Sequence, residues 1–517
     1  MNARPAPVTA ERLAAACRRH LGEGTVTDLR RHSGGASRET WSFTFTPAAP
    51  GGRPGPQRLV LRRDPTRSAL GADRATEYRL LAAVAAAGVP VPRVRFLLEP
   101  DDDLGDGFVM DHVDGETIPR RILRDEPFTA VRPHLVAQCG RIAAAIHAVG
   151  PDGLPDLEVL DAATQIERHR ALLDALGDPH PVFELALVWL AEHLPPPAEP
   201  RLVHGDFRNG NFVVGPEGIR AVLDWELAHL GDPVEDLGWL CVRSWRFGHD
   251  DRPAGGFGSR AELLQAYVDA GGQPVDEQHL HTWEVMGTLR WGLICQLQCQ
   301  AHRQGLLRSV ELAALGRRVA EQEWDLLTLL EGAAPTRART ASPAAPAAPA
   351  VAGATRSAPA AHAAPASEQA AAAASAAAAA PAASASWSGT IHDPPSAAEL
   401  VGAVRELLEQ EVLEATEGRL RFHVRVAANV LGMVERELGE DPAVVAELAE
   451  ALAVLTGDAP TPEWRDRLAA LAGAVRSGRL APTDARLGSF LRELVRAKLA
   501  VSDPRHLSPD PAPVPEV

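Results

Sequence analysis

The stretch LVHGDFRNGNFVVGPEGIRAVLDWELAHLGD, residues 202–232, constrains the fold more than any other part of the chain. Asp, Asn and His are poor strand formers, yet here they alternate with short apolar runs of strand character, FVV and AVL. Polar groups at the ends of short buried strands must find partners or cost stability. The pattern therefore suits a reactive site better than a passive core.

Four side chains are in question: His204, Asp206, Asn211 and Asp224. Each alone could form a turn, but together, flanked by strands, they read as a constellation. Phosphoryl transfer from a nucleotide asks for hard oxygen ligands to a divalent ion, a carboxylate beside the attacking hydroxyl, and cations around the transferring group. Asp206 would orient or deprotonate the hydroxyl. The amide oxygen of Asn211 and the carboxylate of Asp224 suit Mg²⁺. Arg208 could reach the γ-phosphate as charge gathers on its oxygens. His204 reads as a brace of the loop, and Asp232 and Asp236, in GDPVEDLGWL, as groups that cap and orient the following helix.

The H-G-D-x-x-x-x-N loop with D-W-E after a two-strand interval resembles the aminoglycoside phosphotransferase and choline kinase group, relatives of the protein kinases. The resemblance covers roughly residues 10–330. It implies an α+β, bilobal kinase-like fold, ATP and Mg²⁺ as cofactors, and a small-molecule hydroxyl as acceptor. It also implies a nucleotide loop in HSGGASRETWSFTF, where Gly34 and Gly35 allow close backbone approach and Ser37 donates to a phosphate. The family's third-strand lysine is replaced by Arg62, in RLVLRRD, with Glu77 as its partner on the next helix. Arginine keeps the charge in a different geometry. Arg63 should face the other way. GFVMDHVDGETIP resembles the strand and hinge between lobes, with Met110 near the adenine entrance and backbone groups from Asp111 to Val113 at the adenine edge.

LRRDP, GASRETWSF and AHLGDPVEDLGWLCVRSWRFG look most like the acyl-CoA dehydrogenase-associated phosphotransferase branch. That branch suggests a hydroxylated acyl metabolite, including a hydroxyacyl thioester. Trp283, Arg290 and Trp291, on one long helix, read equally as an acceptor-pocket wall or as packing. Two other readings stand beside the kinase: a nucleotide-binding scaffold without transfer, and an aminoglycoside phosphotransferase.

At 517 residues the chain is too long for one core. We expect a kinase-like N-lobe over 1–113, with strands near 25–31, 40–46, 58–63 and 107–113, and a mainly helical C-lobe over 114–332. An Ala/Pro tract at 333–395 has little to bury and should be a disordered linker. Residues 396–505 should form a bundle of about five helices, resembling a domain of unknown function that accompanies such kinases. Leu400, Val404, Leu407, Leu408 and Val412 make one apolar stripe there, and Leu420, Val424, Ala427, Leu431, Val434 and Leu438 another. Arg421, His423 and Arg425 look like a solvated face. Fusion to the kinase makes docking on it, or on a shared protein partner, reasonable.

The net charge of −16, without a long basic run, disfavours nucleic acid. Local arginine clusters can still hold anions. The polyalanine run is too weakly apolar to insert into a membrane. Five cysteines without a CxxC pair suit a reducing cytoplasm, and Cys295 and Cys299 read as small packing residues rather than metal ligands.

Overall fold

The structure, a computed structural model, describes residues 7–32, 39–48, 55–64, 74–150, 153–332, 397–457 and 464–507. The expected linker and the residues Gly34, Gly35 and Ser37 lie outside these.

The N-terminal lobe is one antiparallel sheet of order β1-β2-β3-β5-β4, with helices on both faces. Its elements are α1 (Ala10–Leu21), β1 (Gly24–His32), β2 (Glu39–Pro47), β3 (Gln57–Arg63), α2 (Arg74–Ala86), β4 (Val94–Leu97) and β5 (Gly107–Asp111). Thr9 opens α1 by accepting the Arg12 N–H, and Gly22, at φ 95°, closes it. Leu13, Ala16 and Cys17 of α1 pack with Phe43, Phe45, Leu59 and Leu61 on one face of the sheet. Val60 points the other way, into a cluster with Leu80, Leu81 and Val84 of α2 and with Phe108 and Met110 of β5. This period of two decides where the two arginines ending β3 go. Arg63 shares the α1 face, where its Nε donates to Glu39 at 2.8 Å and its Nη1 to the Leu104 carbonyl at 2.9 Å. Arg62 takes the α2 face, which borders the cleft.

The larger lobe is helical: α3 (Pro119–Arg124), α4 (Leu135–His147), α5 (Ala162–Leu176), α6 (Pro181–Glu192), α7 (Val234–Cys241), α8 (Arg260–Asp269), α9 (Glu277–Arg303), α10 (Val310–Leu315) and α11 (Val319–Gly332). Two small sheets interrupt it. One has the order β6-β10-β7 and the other is the hairpin β8-β9, from β6 (Val159–Leu160), β7 (Arg201–Val203), β8 (Phe212–Gly215), β9 (Gly218–Val222) and β10 (His229–Gly231). Helix α9, 27 residues, is the spine against which α7, α11, α10, α5 and α6 pack. Its start is fixed by Asp276, which accepts the His279 N–H at 2.7 Å.

Five further helices follow, Ala397–Leu407, Gly418–Leu438, Pro442–Thr456, Trp464–Arg476 and Ala485–Ser502. Leu471, Val475, Leu491, Leu494 and Val495 join one buried cluster with Phe183, Leu326 and Leu327 of the larger lobe. Lys498 reaches Glu323 at 2.8 Å, Arg492 pairs with Glu331 at 2.6 Å, Arg465 donates to the Gly177 carbonyl at 2.8 Å, and Arg476 pairs with Glu184. The expected stripes are only partly buried. Leu400, Val404, Leu407, Leu420 and Leu438 are exposed, and the buried residues of Gly418–Leu438 are Val424, Ala428 and Gly432. An Arg405–Glu435 pair at 3.0 Å sits between the first two helices in place of a leucine seam.

Candidate active site

The polar loop between β7 and β8 is held from below by a buried carboxylate. Asp236, fully buried in α7, accepts the backbone N–H of His204 at 2.8 Å and of Gly205 at 3.0 Å, and faces His147 Nε2 at 3.1 Å. Burial would raise its pKa, but His147, His204 and these N–H donors outweigh it and hold it below the usual carboxylate range. Expected only to cap a helix, Asp236 instead carries the loop. Asp232 does brace the start of α7, accepting the Val234 N–H at 3.0 Å, and its other oxygen takes Trp283 Nε1 at 2.9 Å. Trp283 is thereby packing, not pocket wall.

His204 is fully buried, and burial lowers its pKa against the opposing pull of Asp236, Asp206 and Asp224. The ring is therefore neutral near neutral pH. Its Nδ1 accepts the Asp206 N–H at 3.1 Å, which leaves Nε2 to donate to the Leu223 carbonyl at 3.0 Å. One imidazole thus ties the loop to the strand that ends beside Asp224. Gly205, at φ 78°, has no room for a side chain, since a Cβ would stand 2.4 Å from the Leu227 carbonyl. Arg290 of α9 donates to the Gly205 carbonyl at 2.9 Å and pairs with buried Glu235 at 3.1 Å.

Asp206 is fixed at both oxygens. Oδ1 accepts Arg208 Nε and Trp239 Nε1, each at 2.8 Å, and Oδ2 accepts Asn211 Nδ2 at 2.6 Å. Asn211 Nδ2 also donates to the Asp206 carbonyl at 2.9 Å, which fixes the amide orientation and leaves its oxygen as the unused end. The Arg208 guanidinium lies 4.3 Å over the Trp245 ring. Across the hairpin, Leu223 N–H donates to the Asn211 carbonyl at 2.8 Å, so Asp224 follows directly beside Asn211. Asp224 adopts φ 70°, a left-handed conformation that Asp tolerates better than most residues. Its carboxylate faces the cleft and accepts Arg62 Nη2 at 3.0 Å.

Arg62 spans the lobes. Nη1 lies 3.0 Å from Glu77 Oε1, on a residue fully buried in α2, while Nη2 holds Asp224. Burial opposes its charge, but Glu77 and then Asp224 more than compensate, so its pKa is raised. Glu77 also pairs with Arg74, and Arg74 holds Asp64 at 2.9 Å. Glu77 Oε1 has no aligned hydrogen bond, so the Arg62 contact is an ion pair without directional lock. At the lobe junction, the N–H groups of Asp111 and His112 are committed to the carbonyls of Arg93 (2.8 Å) and Arg58 (3.0 Å). The Val113 N–H has no hydrogen bond among the described residues. Met110 is buried on β5 in the α2 cluster.

Among the described residues no group of three or more His, Cys, Asp and Glu side chains gathers as a metal cage. Mg²⁺ does not need one, because it commonly keeps waters and binds one or two protein oxygens plus substrate phosphates. The unused Asn211 amide oxygen and the Asp224 carboxylate, just beyond the paired ends of β8 and β9, fit that demand. Cys299 Sγ lies 3.9 Å from the Ala313 carbonyl and Cys295 is buried, consistent with packing.

Residues 28–274 match the model of the phosphotransferase enzyme family, and residues 414–506 match a domain of unknown function, DUF6285. Among curated proteins, acyl-CoA dehydrogenase family member 10 of Mus musculus is 33% identical over 204 residues, 36% of this chain and 18% of that protein. Acyl-CoA dehydrogenase family member 11 of Gallus gallus is 31% identical over 230 residues, 41% of this chain and 27% of that protein. The chain thus spans under a third of the length of either relative. Among solved structures, the macrolide 2'-phosphotransferase MphH of Brachybacterium faecium is 23% identical, with a TM-score of 0.42 over 59% of this chain and 97% of that one. The two-lobed part of this chain is thus similar to the phosphotransferase enzyme family, and its C-terminal helices to a domain of unknown function.

Proposed function

We propose that the chain is an ATP- and Mg²⁺-dependent phosphotransferase acting on a hydroxyl of a small metabolite. The observation that carries this reading is Asp206, whose two oxygens are held by three donors in a loop that adjoins Asn211 and Asp224. A carboxylate so fixed orients an incoming hydroxyl and accepts its proton as the new oxygen–phosphorus bond forms and the bond to ADP breaks. Arg208, resting on Trp245, reaches the phosphoryl oxygens as charge gathers there. Asn211 and Asp224 would hold Mg²⁺, which would supply positive charge to offset the negative charge of the phosphates. Arg62 keeps Glu77 and turns its other nitrogen from Asp224 to the nucleotide phosphates. Glu77 sets Arg62 in place, and Gly34, Gly35 and Ser37, outside the described residues, keep the phosphate-loop role that the sequence resemblance implies. At the hinge the Val113 N–H is the donor left for adenine, beside Asp111 and Met110.

For the acceptor, the names of the curated relatives favour a hydroxylated acyl compound. We further take the C-terminal helices to be a fixed part of the catalytic unit, supported by the Lys498–Glu323, Arg492–Glu331 and Arg476–Glu184 pairs and the shared apolar cluster. Among the described residues no helix is long and apolar enough to cross a membrane, and the five cysteines are unpaired, which suits a reducing cytoplasm. A thermal shift on adding MgATP tests nucleotide binding. ADP release across a panel of hydroxylated metabolites tests transfer. Binding without release on any acceptor would turn the reading into a scaffold.

A further inference from the structure

Arg290, near the middle of α9, reaches the catalytic loop by two routes. Its Nη2 donates to the Gly205 carbonyl at 2.9 Å. Its guanidinium also lies 4.8 Å over the ring of Trp239, whose Nε1 donates to Asp206 Oδ1 at 2.8 Å. The first route is the main chain that enters Asp206. The second is the grip on its carboxylate.

The Gly205 carbonyl belongs to the peptide that joins Gly205 to Asp206. A peptide is planar, so a partner at each end fixes its direction. Arg290 holds the carbonyl end, and His204 Nδ1 holds the other by accepting the Asp206 N–H at 3.1 Å. That plane sets where the Asp206 Cα–Cβ bond points. The residue before it is glycine at φ 78°, kept so by the Leu227 carbonyl, and glycine lets the peptide after it turn over with little resistance. Of the two holds, the one from Arg290 is charge-assisted and the stronger.

Arg290 is itself anchored. Its Nη1 donates at 3.1 Å to Oε1 of Glu235, a buried side chain of α7. Glu235 Oε2 accepts Gln165 Nε2 of α5 at 2.6 Å and faces His229 Nε2 of β10 at 3.1 Å. His229 Nδ1 lies 2.9 Å from the Leu227 carbonyl, so both ring nitrogens face acceptors, as in a ring that carries both protons. Burial would raise the Glu235 pKa, but His229, Arg290 and Gln165 hold it below the usual carboxylate range. A buried Arg–Glu pair stabilises a fold no better than well-packed apolar side chains do. What it adds here is direction: one arm of the fork is fixed on Glu235 and the other is aimed at Gly205.

We propose that Arg290 is a positioning residue for Asp206, pinning the Gly205–Asp206 peptide and backing Trp239 so that the carboxylate stays aimed at the acceptor hydroxyl. The inference rests on the phosphotransfer reading for the reaction that Asp206 performs, and on these contacts alone for the hold on the loop. It takes Arg290 out of the acceptor-pocket wall and gives it more than a packing role.

The test uses the full chain. Arg290→Met keeps a straight side chain beside Trp239 and removes both donors. Hydrogen exchange followed by mass spectrometry should show the amides of Gly205, Asp206 and Asn211 exchanging about tenfold faster, with β3 and α4 at the parent's rates. A merely structural loss would instead speed exchange across the larger lobe. On an acceptor from the metabolite panel, kcat should fall about tenfold or more, while KM for acceptor and MgATP stays within about twofold. Arg290→Lys keeps the buried charge opposite Glu235 without the fork, so it folds even where the methionine variant does not, and should show both changes at smaller size. Loop exchange at the parent's rate in the folded variants overturns the proposal. Faster loop exchange with kcat unchanged overturns it too, as does a raised KM with kcat kept, which would return Arg290 to the acceptor pocket. If the parent chain transfers phosphate to no acceptor, the phosphotransfer reading fails, and the exchange rates still decide whether Arg290 holds the loop.

Discussion

Replacing Trp239 by Phe isolates one interaction in the catalytic loop. Trp239 is 3% exposed, and its Nε1 donates to Asp206 Oδ1 at 2.8 Å. Phenylalanine keeps an aromatic ring in that space and deletes only the donor, leaving no orphaned polar group on its side. A hydrogen bond to a charged group is worth about 1.5–3 kcal/mol. Asp206 keeps Arg208 and Asn211, so the lower half of that range applies, and kcat should fall roughly tenfold to fortyfold with KM little changed. Trp245→Phe supplies the comparison. Its ring centroid is 5.3 Å from that of Trp239, it supports Arg208, and its Nε1 has no partner, so the same substitution removes no bond. A weakened cation–π contact of about 0.5–1 kcal/mol should cost roughly two- to fivefold. Steady-state kinetics on an acceptor from the metabolite panel, with thermal melts on both variants, would decide. Equal losses in the two variants, or an unchanged kcat in W239F, would refute the claim that Trp239 positions Asp206.

Asp236→Ala should destabilise the chain by about 3–5 kcal/mol, because two loop N–H groups and His147 lose a buried charged acceptor; urea unfolding measures it, and a loss under about 1 kcal/mol contradicts the support role. Arg62→Met should weaken MgATP binding by about tenfold or more, read by calorimetry, since it removes the lobe-spanning cation between Glu77 and Asp224; unchanged affinity would show that Arg62 does not contact phosphates. His506 gives a pH-dependent effect. Burial and Arg243 lower its pKa while Asp325 and Glu321 raise it, and the net direction is upward. Its contribution is therefore complete below the ordinary histidine pKa of about 6.5 and fades as pH rises through the raised folded value. The Tm gap between the parent chain and His506→Gln should be larger near pH 6 than near pH 9; a gap that grows with pH contradicts the ion pair.

The central loop was legible because its chemistry is local. Asp206, Arg208 and Asn211 contact one another within five residues, and β8 and β9 carry Asp224 alongside by a tight hairpin. The opposite facing of Arg62 and Arg63 followed from strand periodicity alone. The support beneath the loop was not legible. Trp239, Asp236 and Arg290 reach it across 33, 32 and 85 residues, and no periodicity encodes such contacts. The Asp236–Trp239 step on one helical face was the only local signal. In the C-terminal domain, apolar periodicity found the helices but misjudged their buried faces: the buried residues of Gly418–Leu438 are Val424, Ala428 and Gly432, two of them too small to stand out in an apolar stripe.

The most direct test follows phosphate itself. The full chain, given MgATP and the hydroxylated panel, should add one phosphoryl group to an acceptor, seen by mass spectrometry together with ADP. Asp206→Asn should cut that transfer by about a hundredfold to ten-thousandfold while keeping the MgATP thermal shift. Transfer that proceeds in Asp206→Asn at the parent rate would contradict the assignment of this loop as the reacting centre.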